Sequence, residues 1–196
     1  NPNKNELIGN REAKFQAGLN SSMNIYGVQF SFLFDGRLGG DVVNVTGRNL
    51  IASGNHNILE KYRGRQVVFD GVKEVTDANG KVVGYEPNTT PITMNQTTIT
   101  NYFYNVSTNF IEDGSYIRLS YVTVGYDFAK LMKNQKFFKG LKLNFTCNNV
   151  FLLTKYTGTD PVCNASTSAK GTGSAGVDDS PVPSTRSYNI SLSASF

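Results

Sequence analysis

The stretch Arg186-Ser-Tyr-Asn-Ile-Ser-Leu-Ser-Ala-Ser-Phe196 decides the fold. Tyr188, Ile190, Leu192, Ala194 and Phe196 fall on one face and Ser187, Asn189, Ser191, Ser193 and Ser195 on the other, the period-two pattern of a strand with one apolar and one polar side. The polar side is small and neutral, where a soluble sandwich usually turns Lys, Glu and Thr to water. Serine and asparagine suit a water-filled or plugged lumen instead.

Working outward, the pattern recurs in Leu141, Leu143, Phe145 and Cys147, in Val28, Phe30, Phe32 and Phe34, and in Phe15, Ala17 and Leu19. A tight turn near Ser21–Tyr26 would join the last two into a hairpin. A further strand, Ser115–Phe128, carries Ile117, Leu119 and Tyr121 on one parity and Val122, Val124, Tyr126 and Phe128 on the other. A bulge near Ser120–Val122 would reconcile the halves.

Strands are therefore expected near 13–22, 26–37, 115–128, 141–152 and 186–196, and their connections alternate between short and long. Residues 37–114 and 153–185 make the long loops; Ser21–Tyr26 and Ala129–Gly140 make the short ones. This is the topology of an antiparallel transmembrane β-barrel, with long loops outside the cell and short turns in the periplasm. The first loop carries a hairpin signal, Asp77-Ala-Asn79-Gly80, between Val67–Val75 and Lys81–Tyr85; the second holds a Ser/Thr/Gly/Ala stretch, Cys163–Ser184, ending in Pro181-Val-Pro183.

Composition agrees with that reading and removes others. Only 17% of the 196 residues are charged, against about 25% in an ordinary soluble domain, while aromatics reach 12% without a Trp. The net charge of +4 comes from scattered residues rather than a basic face, which argues against nucleic acid. No segment approaches the ~20 apolar residues of a spanning helix, and a mean hydropathy of −0.30 fits alternating barrel strands and a soluble chain alike. Cys147 and Cys163 show no zinc spacing and are expected to stay unbonded to each other, Cys147 facing lipid. His56, the single histidine, sits in a polar run, and the acid pairs Glu112-Asp113 and Asp178-Asp179 read as solvated turns. Neither an enzyme nor a cofactor is expected.

Four blocks then carry a family resemblance. Asp113-Gly-Ser-Tyr-Ile-Arg-Leu-Ser-Tyr-Val-Thr-Val-Gly-Tyr126 resembles the DGSF-hRL-x-x-hTLGY block of SusC/RagA-like TonB-linked outer-membrane transporters. Leu143-Asn-Phe-Thr-Cys-Asn-Asn149-Val-Phe-Leu-Leu-Thr-Lys155-Tyr-Thr-Gly158-Thr-Asp160-Pro161 is similar to that family's NNLFxxTKYxGxDPE block, with Val162 where Glu is usual. Ile8-Gly-Asn-Arg-Glu-Ala-Lys-Phe15 resembles IGNPxPKF, with Arg11 replacing a Pro, and Phe32-Leu-Phe-Asp-Gly-Arg-Leu-Gly-Gly-Asp41 resembles F-x-G-x-x-G-x-D. The resemblance implies an all-β chain forming the C-terminal ~5 strands of a barrel of roughly 22 strands, and so a fragment. Five strands could not close alone, since known barrels start at about eight.

The resemblance further implies a bacterial outer-membrane, multi-pass transporter importing oligosaccharide or peptide, driven by TonB through a plug elsewhere in the protein and covered by a SusD-like surface lipoprotein. Candidate ligand or partner contacts are Tyr62, Tyr85, Tyr102 and Tyr104 on the loop side and Asn144 and Asn148 on the lumen face. Tyr102–Tyr104 and Tyr116 would equally suit an aromatic girdle at the membrane boundary. Tyr188, Ile190, Leu192, Ala194 and Phe196 resemble the terminal signal read by the outer-membrane assembly machinery. A siderophore or cobalamin receptor and a soluble carbohydrate-binding β-sandwich are the alternatives.

Overall fold

The computed structural model describes residues 6–128, 140–162 and 176–195. In chain order its strands are β1 (Phe15–Ile25), β2 (Val28–Leu38), β3 (Asp41–Asn44), β4 (Gln66–Val67), β5 (Val72–Thr76), β6 (Val82–Pro87), β7 (Ile92–Thr93), β8 (Ile111–Asp113), β9 (Tyr116–Asp127), β10 (Gly140–Thr154), β11 (Val177–Asp178) and β12 (Ser187–Ser195). They belong to two compact units, Asn1–Asn44 with Ile111–Phe196, and Val45–Phe110.

The first unit is a five-stranded meander in the order β1-β2-β9-β10-β12, every neighbouring pair antiparallel. Its registers bring the apolar rows onto one face. Met23, Phe30, Val124, Phe145 and Ile190 share one level across the strands, and Leu19, Phe34, Leu119 and Phe151 share another. Rings interlock along this face, with centroids 5.6 Å apart for Phe30–Phe32 and Phe32–Phe34 and 6.0 Å for Phe34–Phe151. Among the described residues only Leu119 of these rows is buried, while Ile190 and Leu192 are 75% and 66% exposed. A sandwich would cover such a face with its second sheet. An uncovered apolar face on strands of 11 residues instead matches a barrel wall, whose strands need about 9–11 residues to cross a bilayer.

The opposite face is polar and bonded within itself. Thr123 and Thr146 hydroxyls lie 2.8 Å apart, Tyr121 donates to the Asn20 side chain at 3.0 Å, and the Ser120 hydroxyl bonds Asp35. Two irregularities shape the wall. Between shared levels β2 passes from Phe34 to Phe32, β9 from Leu119 to Val122, and β10 from Phe151 to Cys147, so β9 and β10 carry extra residues. The bulge at Ser120 keeps both halves of β9 with their apolar side out, the reconciliation its mixed parity requires, and β10 adds Asn149 at φ 50°.

The second irregularity corrects the expected turn at Ser21–Tyr26. β1 runs on to Ile25, which pairs with Val28, and the turn is Tyr26–Gly27 with φ of 52° and 94°. Positive φ at both positions is what a two-residue hairpin turn matched to strand twist demands. Met23 and Ile25 extend the apolar row, so the pairing of the continued strand outweighs the turn propensity of Ser21 and Asn24.

The second unit has α1 (Val45–Ala52), α2 (Ile58–Tyr62), α3 (Gln96–Ile99), a π-helical turn over Thr100–Tyr104 and two short ladders, β4–β7 and β5–β6. Ile51, Leu59, Met94, Ile99 and Phe110 form its core, with Phe69 and Phe103 packed against it. Asn95 caps α3, accepting from the Thr98 amide at 3.0 Å. The Asp77-Ala-Asn-Gly80 hairpin is present, its Asp77 carboxylate accepting from the amides of Asn79 and Lys81 at 2.9 and 3.0 Å. Val67 is not part of it; it pairs with Ile92 in the other ladder. The expected polar loop is thus an ordered unit with a core.

Candidate functional site

The chemistry of the first unit gathers at the end of the sheet opposite the Tyr26–Gly27 turn. There the segment before β1, the β2–β3 corner and the β8–β9 corner meet. Asn10 and Asp41 exchange bonds, each amide donating to the other residue at 2.7 Å. Arg37 donates to the carbonyls of Gly39 and Arg11 at 3.0 and 3.1 Å, and the Gly39 amide donates to the Ser115 hydroxyl at 2.8 Å. The packing admits little more than glycine: a Cβ at Gly114 would stand 2.5 Å from the Gly40 carbonyl, and one at Gly40, whose φ is +84°, would stand 2.7 Å from the Arg11 carbonyl. The Asp113 carboxylate accepts from the Ser115 hydroxyl and amide at 2.5 and 2.9 Å, which holds its pKa below the ordinary range, with Lys155 and Lys14 assisting.

The segment after β10 joins the same junction. Glu112 accepts from the Asn44 amide group at 2.7 Å and from the Thr157 amide and hydroxyl at 2.8 Å each. Buried Tyr156 donates to buried Asp178 at 2.5 Å. Arg118, on the polar face of β9, pairs with Asp160 at 2.8 Å, their side chains 14% and 7% exposed. Asp160 also accepts from the Ser184 hydroxyl at 2.5 Å and the Val162 amide at 2.9 Å. Arg186 donates to the bulge carbonyls of Asn149 and Val150 at 3.1 and 2.6 Å, bounding a cavity of about 230 Å³ with Arg118 and Asp160. Each long connection is thereby fastened to the wall where it leaves it. Of these residues, Arg37, Glu112, Arg118, Asp160 and Asp178 were not legible as a site: their partners lie 22 to 68 positions away except where Arg37 turns back on Gly39 and Asp160 on Val162.

The residues singled out by sequence divide into three groups. Tyr62, Tyr102 and Tyr104 come together in the second unit: Phe103 packs on Tyr62 with centroids 5.6 Å apart, Tyr102 stacks on Phe69 at 4.9 Å, and the Arg48 guanidinium lies 4.4 Å from the Tyr104 ring centroid. Tyr85 stands apart on β6, 67% exposed. Asn144 and Asn148 lie on the polar face of β10, donating to Ser191 at 3.4 Å and Ser187 at 2.9 Å. Tyr188, Ile190, Leu192 and Ala194 lie along β12 opposite the apolar row of β10, with Tyr188 stacked on Phe145. Phe196, Cys163 and the turn at residues 129–139 fall outside the described residues.

The girdle reading needs correction. Tyr102–Tyr104 occupy a helical turn, not a strand end; Phe103 and Tyr104 pack against the core of their own unit, and Tyr102, 47% exposed, stacks on Phe69. Tyr116 pairs with Arg37 and Thr154 on the polar parity, under the Arg118 guanidinium at 5.2 Å. Aromatics at a strand end on the apolar side are Phe15 at one end and Tyr126 with Phe128 at the other.

No family model matches the chain. It is 31% identical over 93 residues to the TonB-dependent receptor SusC of Bacteroides thetaiotaomicron, a match covering 46% of the chain and 8% of that receptor. It is 20% identical over 193 residues, 97% of the chain, to the TonB-dependent receptor P3 of Formosa agariphila, of which it covers 17%. Among solved structures, the RagAB peptide importer aligns in its open-open state over 92% of the chain and 17% of that chain, with a TM-score of 0.53 at 16% identity. In its closed-closed state it aligns over 90% and 16%, with a TM-score of 0.54 at 14% identity. The chain thus spans less than a fifth of the length of each of these proteins. Motif order, sequence relatives and fold converge: the chain is similar to SusC/RagA-like TonB-dependent receptors and has the fold of a segment of their barrel.

Proposed function

We propose that the chain supplies wall and outer loops to an outer-membrane importer of oligosaccharides or peptides, energised through TonB and covered by a SusD-like lipoprotein. The observation that carries this reading is the two-faced sheet, one face apolar and uncovered and the other lined by Ser, Asn and Thr. A wall of that kind separates lipid from a polar passage. Asn144 and Asn148 then line the passage, while Tyr62, Tyr85, Tyr102 and Tyr104 belong to a loop unit available to ligand or lid. One of the structures it resembles is a peptide importer, which supports nutrient import over siderophore or cobalamin uptake. The test is a clean deletion of the full-length gene. Loss of growth on a glycan or peptide mixture as carbon source, restored by complementation, supports the reading. Normal growth on both with failure only under iron or cobalamin limitation would transfer the protein to the other receptor class.

In the same reading, residues 37–114 and 153–185 are extracellular, and the turn at 26–27 and the connection 129–140 are periplasmic. A protease site inserted after Asn79, at the tip of the exposed β5–β6 hairpin, is expected to be cut on intact cells. Protection on intact cells with cutting after outer-membrane permeabilisation would invert the topology.

A further inference from the structure

The cavity beside Arg118 is lined as a receptacle for an anionic group. It holds about 230 Å³, and its walls come from the interior strands β9 and β10, from Thr159 and Asp160 after β10, and from Ser184 and Arg186 ahead of β12. The edge strands β1 and β12 contribute none of its lining residues. Its charged groups are Arg118, Arg186 and Asp160, which leaves one positive charge in excess. Asp160 does not offset Arg186: its carboxylate is taken by Arg118, the Ser184 hydroxyl and the Val162 amide, and Arg186 joins no ion pair among the described residues.

Both guanidinium groups keep donors for a ligand. Arg118 spends Nη2 on Asp160 at 2.8 Å, and Tyr116 covers one side of its guanidinium with the ring centroid 5.2 Å away. Its Nε and Nη1 bond none of the described residues, and because no buried side-chain nitrogen among those residues lacks a partner, both are open to solvent. Arg186 spends Nε and Nη2 on the bulge carbonyls of Asn149 and Val150, which fixes its head and leaves Nη1. Leu152 supplies a wall of different character. It pairs with Arg118 on the polar face, in a row of β10 otherwise made of Lys142, Asn144, Thr146, Asn148 and Thr154. Two cations beside one leucine suit a group that carries negative charge at one end and an apolar side chain next to it.

We infer that the cavity receives the C-terminal residue of an imported peptide, its carboxylate against Arg118 and Arg186 and its side chain against Leu152. A carboxylate presents two oxygens in one plane, the shape that the edge of a guanidinium binds through paired N–H bonds. A hydroxyl-covered sugar acid would meet the arginines equally well but would leave Leu152 without an apolar partner. The inference rests on the import reading above and narrows its substrate to peptides with a free C-terminus. The experiment titrates the full-length receptor in mild detergent with small probes and reads dissociation constants by ligand-observed NMR. N-acetyl-leucine, which carries both features, is expected to bind at least tenfold more tightly than N-acetyl-leucinamide, which lacks the charge, and than glucuronate, which lacks the apolar group. Arg186→Gln is expected to weaken N-acetyl-leucine at least tenfold, and Arg186→Lys, which keeps the charge, to stay within threefold. Thr159→Glu changes an exposed lining residue and sets a competing carboxylate in the cavity, so it is expected to weaken the probe at least tenfold as well. All three variants leave the Arg118–Asp160 pair in place. Equal binding of acid and amide, or unchanged binding in Arg186→Gln and Thr159→Glu, would overturn the inference. Glucuronate binding as tightly as N-acetyl-leucine would give the cavity to acidic sugars and overturn it too. A deletion strain that fails to grow on peptides, with a receptor that ignores N-acetyl-leucine, would refute the cavity assignment alone. Probe binding by a receptor whose deletion leaves growth on peptides normal would instead refute the import reading on which the assignment rests.

Discussion

Arg118→Met is expected to destabilise the assembled barrel by about 3–5 kcal/mol, because it strands the Asp160 carboxylate with most of its surface out of water. The pair is not an ordinary surface ion pair, which would contribute ~0–1 kcal/mol. Its side chains are 14% and 7% exposed, and Asp160 is fixed by Ser184 and the Val162 amide, so the acid cannot swing out to solvent when its cation is removed. The double variant Arg118→Met/Asp160→Leu removes both charges and is expected to recover much of the loss, since a buried pair replaced by packed apolar groups is often neutral. The readout is the temperature at which the full-length receptor loses its compact mobility on an unheated gel. A single-variant shift no larger than that of Lys73→Met, which breaks the exposed Lys73–Glu86 pair, would mean that the ion pair does not fasten the segment after β10 to the wall.

That ion pair also marks where the sequence stops being readable. The strands announce themselves because period-two alternation is a local signal: Tyr188, Ile190 and Leu192 need only their own neighbours to be recognised as one face. Even the bulge at Ser120 leaves a trace, since the apolar parity changes across it. Beyond its Asp77–Gly80 hairpin, the second unit leaves none. Its core residues Ile51, Leu59, Met94, Ile99 and Phe110 fall in apolar runs of at most three residues, and α2 and α3 are too short to show a helical stripe. The junction is hidden for a different reason. Arg118 reads as one polar residue of a strand and Asp160 as a turn acid, and only the register of β9 against β10 brings them together across 42 positions. A signal existed all the same: the four family-like blocks each place a residue at that junction, Asn10, Asp41, Asp113 or Asp160, so the ordered motifs mark a packing centre as well as a lineage.

The register makes an opposite pair of outcomes at neighbouring positions the sharpest test of the barrel. Phe32 lies level with Ser21, Val122, Cys147 and Tyr188, close to the middle of the apolar face, whereas Ser31 lies level with Thr123 on the polar face. Phe32→Arg is expected to cost about 2–4 kcal/mol, the penalty for a guanidinium at the bilayer midplane of such a barrel, before counting the lost ring contacts to Phe30 and Phe34. Ser31→Arg carries the same charge into a polar passage lined by hydroxyls, where water and the Thr123 and Thr146 hydroxyls can solvate it. It is expected to leave the amount of heat-modifiable receptor in the outer membrane within twofold of wild type, while Phe32→Arg lowers it at least tenfold through failed insertion and periplasmic degradation. A soluble sandwich predicts a different pattern, with both proteins recovered without detergent. Equal loss in both variants would show that strand length or charge alone, and not the side of the wall, governs assembly, and would remove the assignment of the phenylalanine row to lipid.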